Sequence, residues 1–223
     1  RVLFRSPYYS YCIFHAADLA SRLGYKSISV LEFGVAGGNG LVAAEEIIVL
    51  VERYFGVSIE LYGFDTGQGL PAATSIHDIP YWFLATQYAM QPEALRSRLK
   101  RAKLVIGDVA ETVDQFLASA RFAPIGAIFW DLDFYSSTRN GLKILDSRNS
   151  QNYLPRIFNY LDDVRGGVLE QYGEWNGELL AVKHFNDEHS DVKIHRNEHL
   201  GYDREFARAI FYTHLFWHPD FSK

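Results

Sequence analysis

The stretch VLEFGVAGGNG, residues 30–40, ends an apolar run with an acid and a cluster of small residues. The run SISVLEF before the turn is typical of a buried strand, and LVAAEEIIVLVERYF after it has apolar residues at helical spacing. A strand, a glycine turn and a helix in this order predict the first unit of an α/β fold. The small residues allow a ligand to approach the main chain, and the helix start offers free N–H groups.

Strand and helix patterns alternate along the rest of the chain. The predicted strands cover residues 27–34, 58–65, 102–108, 125–133, 155–163, 192–196 and 206–216. The predicted helices cover 8–23, 41–56, most of 78–100 with breaks near Pro80 and Pro92, 110–120, 136–147 and 176–189. This alternation predicts a doubly wound, mainly parallel seven-stranded sheet between two helical layers, a three-layer α/β/α fold.

The composition excludes several classes of protein. The 223 residues are 48% hydrophobic and 15% aromatic, which is enough for a large core in one domain. A net charge of -5 argues against nucleic acid as a partner, and no apolar run reaches the length of a membrane span. Cys12 is the only cysteine, which favours a reducing cytoplasm and a buried, inert thiol.

One domain is therefore predicted over residues 1–223. It divides into an N-terminal helical segment (1–26), a cofactor-binding core (27–165) and a C-terminal helix with closing strands (166–223).

Acids mark the ends of the first five predicted strands. These acids are Glu32, Asp65, Asp108, the pair Asp131 and Asp133, and the pair Asp162 and Asp163. In open α/β sheets, ligands bind outside the carboxyl ends of the strands. This row of acids therefore predicts the functional site.

The glycine turn and Asp65 indicate a nucleoside ligand. A carboxylate at the end of the second strand can accept hydrogen bonds from both hydroxyls of a ribose. Residues 34–39 read GVAGGN, which departs from the dinucleotide pattern G-x-G-x-x-G at two of three positions. Glu32 would repel a pyrophosphate but would suit a cationic ligand. The alternative is an ordinary tight turn with a capping acid.

These motifs resemble those of class I S-adenosylmethionine-dependent methyltransferases of the macrocin O-methyltransferase (TylF) type. Residues 32–40 resemble E-x-G-x-G-x-G, with Ala36 in place of the middle glycine. GFDTGQGLP (63–71), IGDVAET (106–112), FWDLDFYSSTRNGLKIL (129–145) and YLDDV (160–164) resemble the later motifs in the family's order. The resemblance covers about residues 28–165.

The resemblance implies a role for each residue of the motifs. The methionine part of the cofactor would lie on Gly34, Ala36, Gly38 and Asn39, with Glu32 beneath. Asp65 would hold the ribose, Asp108 and Val109 would flank the adenine, and Asp131 would lie beside both cofactor and acceptor.

Asp131, Asp162 and Asp163 are expected to form a metal site. Three carboxylates at the ends of neighbouring strands repel one another unless a cation joins them, and hard oxygen ligands favour Mg²⁺. Related O-methyltransferases, including the catechol type, use such a strand-four acid and strand-five pair. The alternative is that Asp162 and Asp163 form a solvated turn that binds nothing.

The general base is missing from its expected position. Three residues after the strand-four acid, the catechol type has a lysine and the macrocin type a histidine, whereas this chain has Phe134. Asp133, beside Asp131, is the nearest catalytic alternative, with His77 or His184 as others. Tyr81 and Trp82 are expected to contact acceptor or cofactor.

The sequence therefore predicts Mg²⁺-assisted O-methylation of a small-molecule hydroxyl by S-adenosylmethionine. The acceptor would be a sugar, a phenol or another natural product. A catalytically silent nucleoside-binding module and an NAD-type Rossmann protein are the alternatives, and a homo-oligomer is left open.

Overall fold

The computed structural model describes residues 6–164, 166, 168–200 and 205–223. It contains one seven-stranded sheet in the order β3-β2-β1-β4-β5-β7-β6. The strands are β1 (Ser27–Phe33), β2 (Ser58–Asp65), β3 (Lys103–Ile106), β4 (Ile125–Trp130), β5 (Tyr153–Leu161), β6 (Val192–Arg196) and β7 (Ile210–Leu215). Strands β1 to β5 are parallel, and β7 is antiparallel to both β5 and β6. The predicted fold class is confirmed.

Helices cover both faces of this sheet. They are α1 (Pro7–Leu23), α2 (Asn39–Phe55), α3 (Pro92–Arg98), α4 (Val109–Ser119), α5 (Tyr135–Leu142) and α6 (Gly177–Glu188). Val30 packs in the core under α1 and α2, and its neighbour Leu31 packs in the core under α4, α5 and α6. No helix within the described ranges is long and apolar enough to cross a membrane.

The core is tightly packed next to the strand ends. Phe33 of β1 stacks on Trp130 of β4, with ring centroids 4.9 Å apart. The Trp130 indole donates to Asn159 Oδ1 at 3.1 Å, which satisfies the one polar atom of a buried ring. Cys12 on α1 is fully buried, as predicted, and burial raises the pKa of its thiol.

The predicted helix over residues 78–100 is wrong for most of its length. The structure has a short 3-10 turn at Ile76–Asp78 and then irregular turns before α3 begins at Pro92. Buried Asp78 explains the difference, because its carboxylate accepts from the main-chain N–H groups of Ser75 and Ser136 at 2.8 Å each. This side chain fixes the segment on the N-terminus of α5. Predicted segment 1–26 is described only from residue 6, and residues 1–5 lie outside the described range.

The carboxyl ends of the central strands are joined by further main-chain hydrogen bonds. The N–H of Gly34 donates to Phe64, that of Asp131 to Phe33, and that of Asp162 to Trp130, each at 2.9 Å. The residues after β1, β4 and β5 therefore lie side by side at one edge of the sheet.

Candidate functional site

A cavity of about 420 Å³ opens at this edge of the sheet. The end of the cavity beside β3, β2 and β1, here called the glycine-loop end, is lined by Asp108, Val109, Asp65, Gly34 and Ala36. Its acidic end is lined by Asp131, Asp133, Asp162, Asp163, Glu170 and Tyr172. No lysine, arginine or histidine occurs among the described lining residues. The described cavity is therefore strongly electronegative.

The loop after β1 requires glycine at its first position. Gly34 has φ +82°, and a Cβ built there would lie 1.7 Å from the main-chain oxygen of Asp131. Further along, Gly38 has φ +74° and caps α2. Small residues thus let β1 and β4 approach closely and bring the loop main chain to the cavity wall.

Asp65 fixes the conformation of this loop. Its Oδ2 accepts from the N–H groups of Val35 and Ala36 at 2.9 Å, and its Oδ1 accepts from Gly67 at 2.7 Å. A carboxylate has about four acceptor positions, so about one remains for a ligand hydroxyl.

Glu32 lies buried beneath the loop and does not line the cavity. The Tyr9 hydroxyl of α1 donates to Glu32 Oε1 at 3.2 Å, and Oε2 has no partner among the described residues. Burial raises the pKa of Glu32 to about 8. Its predicted role beneath the cofactor stays a prediction, since the side chain lies under the loop and outside the cavity lining.

Two other predicted loop residues also lie outside the cavity lining. Gly38 packs against Leu95, and Asn39 Oδ1 accepts from Arg98 Nη2 at 2.8 Å. At the glycine-loop end of the cavity, Asp108 Oδ1 accepts from the N–H of Ala110 at 2.8 Å and so caps α4. Asp108 also lines the cavity, beside Val109.

Asp131, Asp162 and Asp163 converge as predicted. Each of them offers a carboxylate oxygen within 4.8 Å of the others. Asp163 Oδ2 accepts from the Asp133 N–H at 2.8 Å, and its Oδ1 accepts from the Tyr172 hydroxyl at 2.9 Å. Oxygen ligands on neighbouring strand ends match the donor set that Mg²⁺ prefers.

Burial and neighbouring carboxylates raise the pKa values of Asp131, Asp133 and Asp163. Burial, and then the charge of Asp163, raise the pKa of Asp131 well above its ordinary value. Burial raises the pKa of Asp163 to about 6. Burial, and then the charge of Asp163, raise the pKa of Asp133 to about 9. A divalent cation would reverse these shifts, so the acids fit a metal site.

Glu178 was not predicted from the sequence. Its fully buried carboxylate accepts from the N–H of Leu132 at 3.4 Å and from that of Asp163 at 3.2 Å. It therefore holds the loops after β4 and β5 together from the first turn of α6. Burial, and then Asp163, raise the pKa of Glu178. An acid at a helix N-terminus was the available signal, but it is common in helices without a site.

The residues considered as general bases lie in different places. Phe134 is fully buried, with its ring centroid 6.0 Å from that of Phe83. His77 and His184 lie outside the cavity lining, and both contact Tyr135. Asp133 alone of these residues lines the cavity, in a left-handed conformation with φ +58°.

Aromatic side chains form much of the wall at the acidic end. Trp82 lines the cavity, whereas the Tyr81 hydroxyl donates to the Glu170 main-chain oxygen at 3.0 Å. Phe83 and Tyr88 also line it and were not singled out in the sequence. Their positions depend on the irregular turns of residues 79–91.

No family model and no curated protein sequence matches the chain. Solved structures do match. The calicheamicin methyltransferase CalS11 is 22% identical with a TM-score of 0.62, over 92% of this chain and 77% of that chain. The O-methyltransferase NovP is 14% identical with a TM-score of 0.59, over 91% of this chain and 77% of that chain.

The chain has the class I methyltransferase fold. A further structure, apo CalS11, which is described as a TDP-rhamnose 3'-O-methyltransferase, is 21% identical to this chain. It matches with a TM-score of 0.53 over 90% of this chain and 76% of that chain. In this fold, the cavity places a glycine loop and a carboxylate triad at the same sheet edge. The arrangement can hold a nucleoside at one end and present a charged group to a second molecule at the other.

Proposed function

We propose that the chain is an S-adenosylmethionine-dependent methyltransferase that modifies a small-molecule hydroxyl with the help of Mg²⁺. One observation carries this proposal. A single cavity joins the glycine loop and Asp65 to the triad of Asp131, Asp162 and Asp163. Asp131 belongs to both parts, since it follows β4 and packs against Gly34.

The glycine-loop end fits the cofactor. Gly34 and Ala36 line the cavity, Asp65 retains an acceptor position, and Val109 offers an apolar surface. An electronegative cavity without a described cation suits a sulfonium and opposes a pyrophosphate. The departure from G-x-G-x-x-G supports the same choice.

The acidic end fits the metal. Asp131, Asp162 and Asp163 would hold Mg²⁺, because a carboxylate oxygen of each lies within 4.8 Å of the others and because oxygen ligands suit this ion. When bound, S-adenosylmethionine supplies a transferable methyl group, and Mg²⁺ supplies a positive charge that lowers the pKa of a nearby hydroxyl.

The chain's own residues would position these groups. The Tyr172 hydroxyl and the Asp133 N–H donate to the Asp163 carboxylate and fix its position. The Glu178 carboxylate accepts from the Asp163 N–H and holds the main chain of the loop after β5. Asp133 can accept a proton only when it is ionised, and with a pKa of about 9 it is protonated at pH 7 unless positive charge is near. Most of the acceleration would then come from orientation and desolvation.

The proposed acceptor class is a hydroxyl of a natural product. CalS11 is described as a calicheamicin methyltransferase and NovP as an O-methyltransferase, which favours a natural-product hydroxyl as the acceptor here. A cytoplasmic location and a homo-oligomer stay predictions.

A catalytically silent binding module is the second candidate, favoured by the buried phenyl ring of Phe134 at the position of the usual base.

Calorimetric titration with S-adenosylhomocysteine, S-adenosylmethionine and NAD separates the candidates. The proposal expects both S-adenosyl compounds to bind and NAD not to bind. Methyl transfer from labelled S-adenosylmethionine to hydroxyl acceptors, lost in excess EDTA, would support the enzyme over the silent module. Tight NAD binding with no response to S-adenosylhomocysteine would refute the proposal.

A further inference from the structure

The outer face of helix α2 presents large apolar side chains to solvent. Val49 is 47% exposed, Leu50 is 40% exposed and Tyr54, one turn after Leu50, is 76% exposed. Phe14 of the neighbouring helix α1 extends this patch, because its ring centroid lies 6.1 Å from that of Tyr54. None of these four residues lines the cavity. A contiguous apolar patch of this kind is typical of a surface that another protein covers.

Two opposite charges lie on the same face of α2. Glu46 and Arg53 are both exposed. They are seven residues apart, which is two helical turns, so they share the face that carries Val49 and Leu50. Neither side chain forms an ion pair or a hydrogen bond with any residue that the structure describes.

The other two acids of α2 do have partners within the chain. Glu45 Oε1 accepts from the main-chain N–H of Arg101 at 2.7 Å, and Glu52 pairs with the Arg101 side chain at 2.7 Å. Glu46 and Arg53, in contrast, have only apolar residues or glycine three and four positions away, where helical side chains pair. Partners for this acid and this base are therefore missing from the helix itself.

The two charges are placed symmetrically about the centre of the apolar patch. Glu46 precedes Val49 by three residues, and Arg53 follows Leu50 by three. When two copies of α2 pack antiparallel about a two-fold axis that passes between Val49 and Leu50, Glu46 of each copy faces Arg53 of the other. A parallel pair would instead place Glu46 opposite Glu46 and Arg53 opposite Arg53, and these like charges repel.

We propose that the outer face of α2 binds a second copy of this chain, with the two helices antiparallel and with reciprocal ion pairs between Glu46 and the partner subunit's Arg53. Val49, Leu50 and Tyr54 supply the apolar contact, and the charges select the antiparallel direction. The symmetry of a two-fold interface makes each ion pair occur twice, so one substitution changes both.

Sedimentation velocity of the full chain tests this interface. A helix face is a small interface, so we expect a particle of twice the 25.5 kDa of one chain, with a Kd on the order of 10 µM. Either single reversal, Glu46→Arg or Arg53→Glu, places like charges opposite each other twice and should raise the Kd at least about a hundredfold. The matched reversal of exposed Asp114→Arg, on α4 in the other helical layer, should leave the Kd unchanged.

A mixture of the two single-reversal variants gives the sharpest result. The Glu46→Arg variant carries two positive charges on this face and the Arg53→Glu variant carries two negative charges, so together they should form a heterodimer although each alone is a monomer. The double variant Glu46→Arg, Arg53→Glu should dimerise like the parent protein. Far-UV circular dichroism checks that all variants keep their helix content.

Three results would each overturn the inference. The first is a parent protein that stays monomeric at about tenfold above the expected Kd. The second is a dimer whose Kd neither single reversal changes, which would place the interface elsewhere on the surface. The third is a mixture of folded single-reversal variants that forms no heterodimer, which would exclude the antiparallel pairing of Glu46 with Arg53.

Discussion

Gly34 packs so closely against Asp131 that a single added carbon would overlap the main-chain oxygen of Asp131, at 1.7 Å. This contact joins the glycine loop after β1 to the first acid after β4. The glycine-loop end and the acidic end of the cavity therefore meet at this pair of residues.

Replacing this glycine should damage the fold and the site together. In Gly34→Ala, the overlap with main chain and the positive φ of +82° should lower the free energy of unfolding by about 3 kcal/mol and abolish S-adenosylhomocysteine binding. Urea unfolding and calorimetry measure the two effects. Gly37→Ala in the same loop is the control, because a Cβ there meets nothing within 4 Å. Equal behaviour of the two variants would contradict the close contact.

Asp65 should be needed for nucleoside binding. In Asp65→Asn, one oxygen is lost from a carboxylate that holds the loop N–H groups of Val35 and Ala36 and faces the cavity. We expect the Kd for S-adenosylhomocysteine to rise at least about tenfold, as for a lost hydrogen bond to a charged group. Calorimetry measures this change, with exposed Asp114→Asn as the control. Unchanged affinity would remove the ribose assignment.

The metal triad should be separable from the nucleoside site. The double variant Asp162→Asn, Asp163→Asn removes two of the three ionised ligands and should abolish Mg²⁺-dependent methyl transfer. S-adenosylhomocysteine affinity should stay within about threefold of the parent protein, since Asp65 and the glycine loop are unchanged. Mn²⁺ binding followed by electron paramagnetic resonance provides the second measurement. Full activity in excess EDTA would show that the metal assignment is wrong.

Buried Glu32 should make stability depend on pH. Its pKa is about 8 in the folded protein, above its ordinary value, so the folded state holds the proton more tightly and stability falls as pH rises towards 8. Glu32→Gln cannot titrate. Urea unfolding at pH 5 and pH 8.5 should therefore show the variant gaining about 2 kcal/mol or more relative to the parent over this interval. Exposed Glu46→Gln should show no such gain, and a parallel pH dependence for Glu32→Gln would refute the buried acid.

The strand ends were predictable because their physical signals are local. Apolar runs such as residues 27–33 fix the strands, and parallel strands bring Asp131 and Asp163 to one edge whatever the loops do. The convergence of the triad was therefore expected before its distances were known.

The walls of the cavity were not predictable in the same way. The apolar spacing of residues 78–100 favoured a helix, but buried Asp78 binds the segment to α5 and places Ile79 in a left-handed conformation with φ +54°. Glu178 and Tyr172 act through contacts with Asp163 that lie 15 and 9 residues away along the chain. Such contacts leave no periodic pattern in the sequence.

The most direct test of the account is diffraction from crystals grown with S-adenosylhomocysteine and Mn²⁺. The account predicts the adenosyl group between Asp65 and Val109, and an anomalous manganese peak among the oxygens of Asp131, Asp162 and Asp163. The nucleoside bound elsewhere, or full nucleoside occupancy without manganese at the triad, would contradict the central claim that one cavity holds both sites.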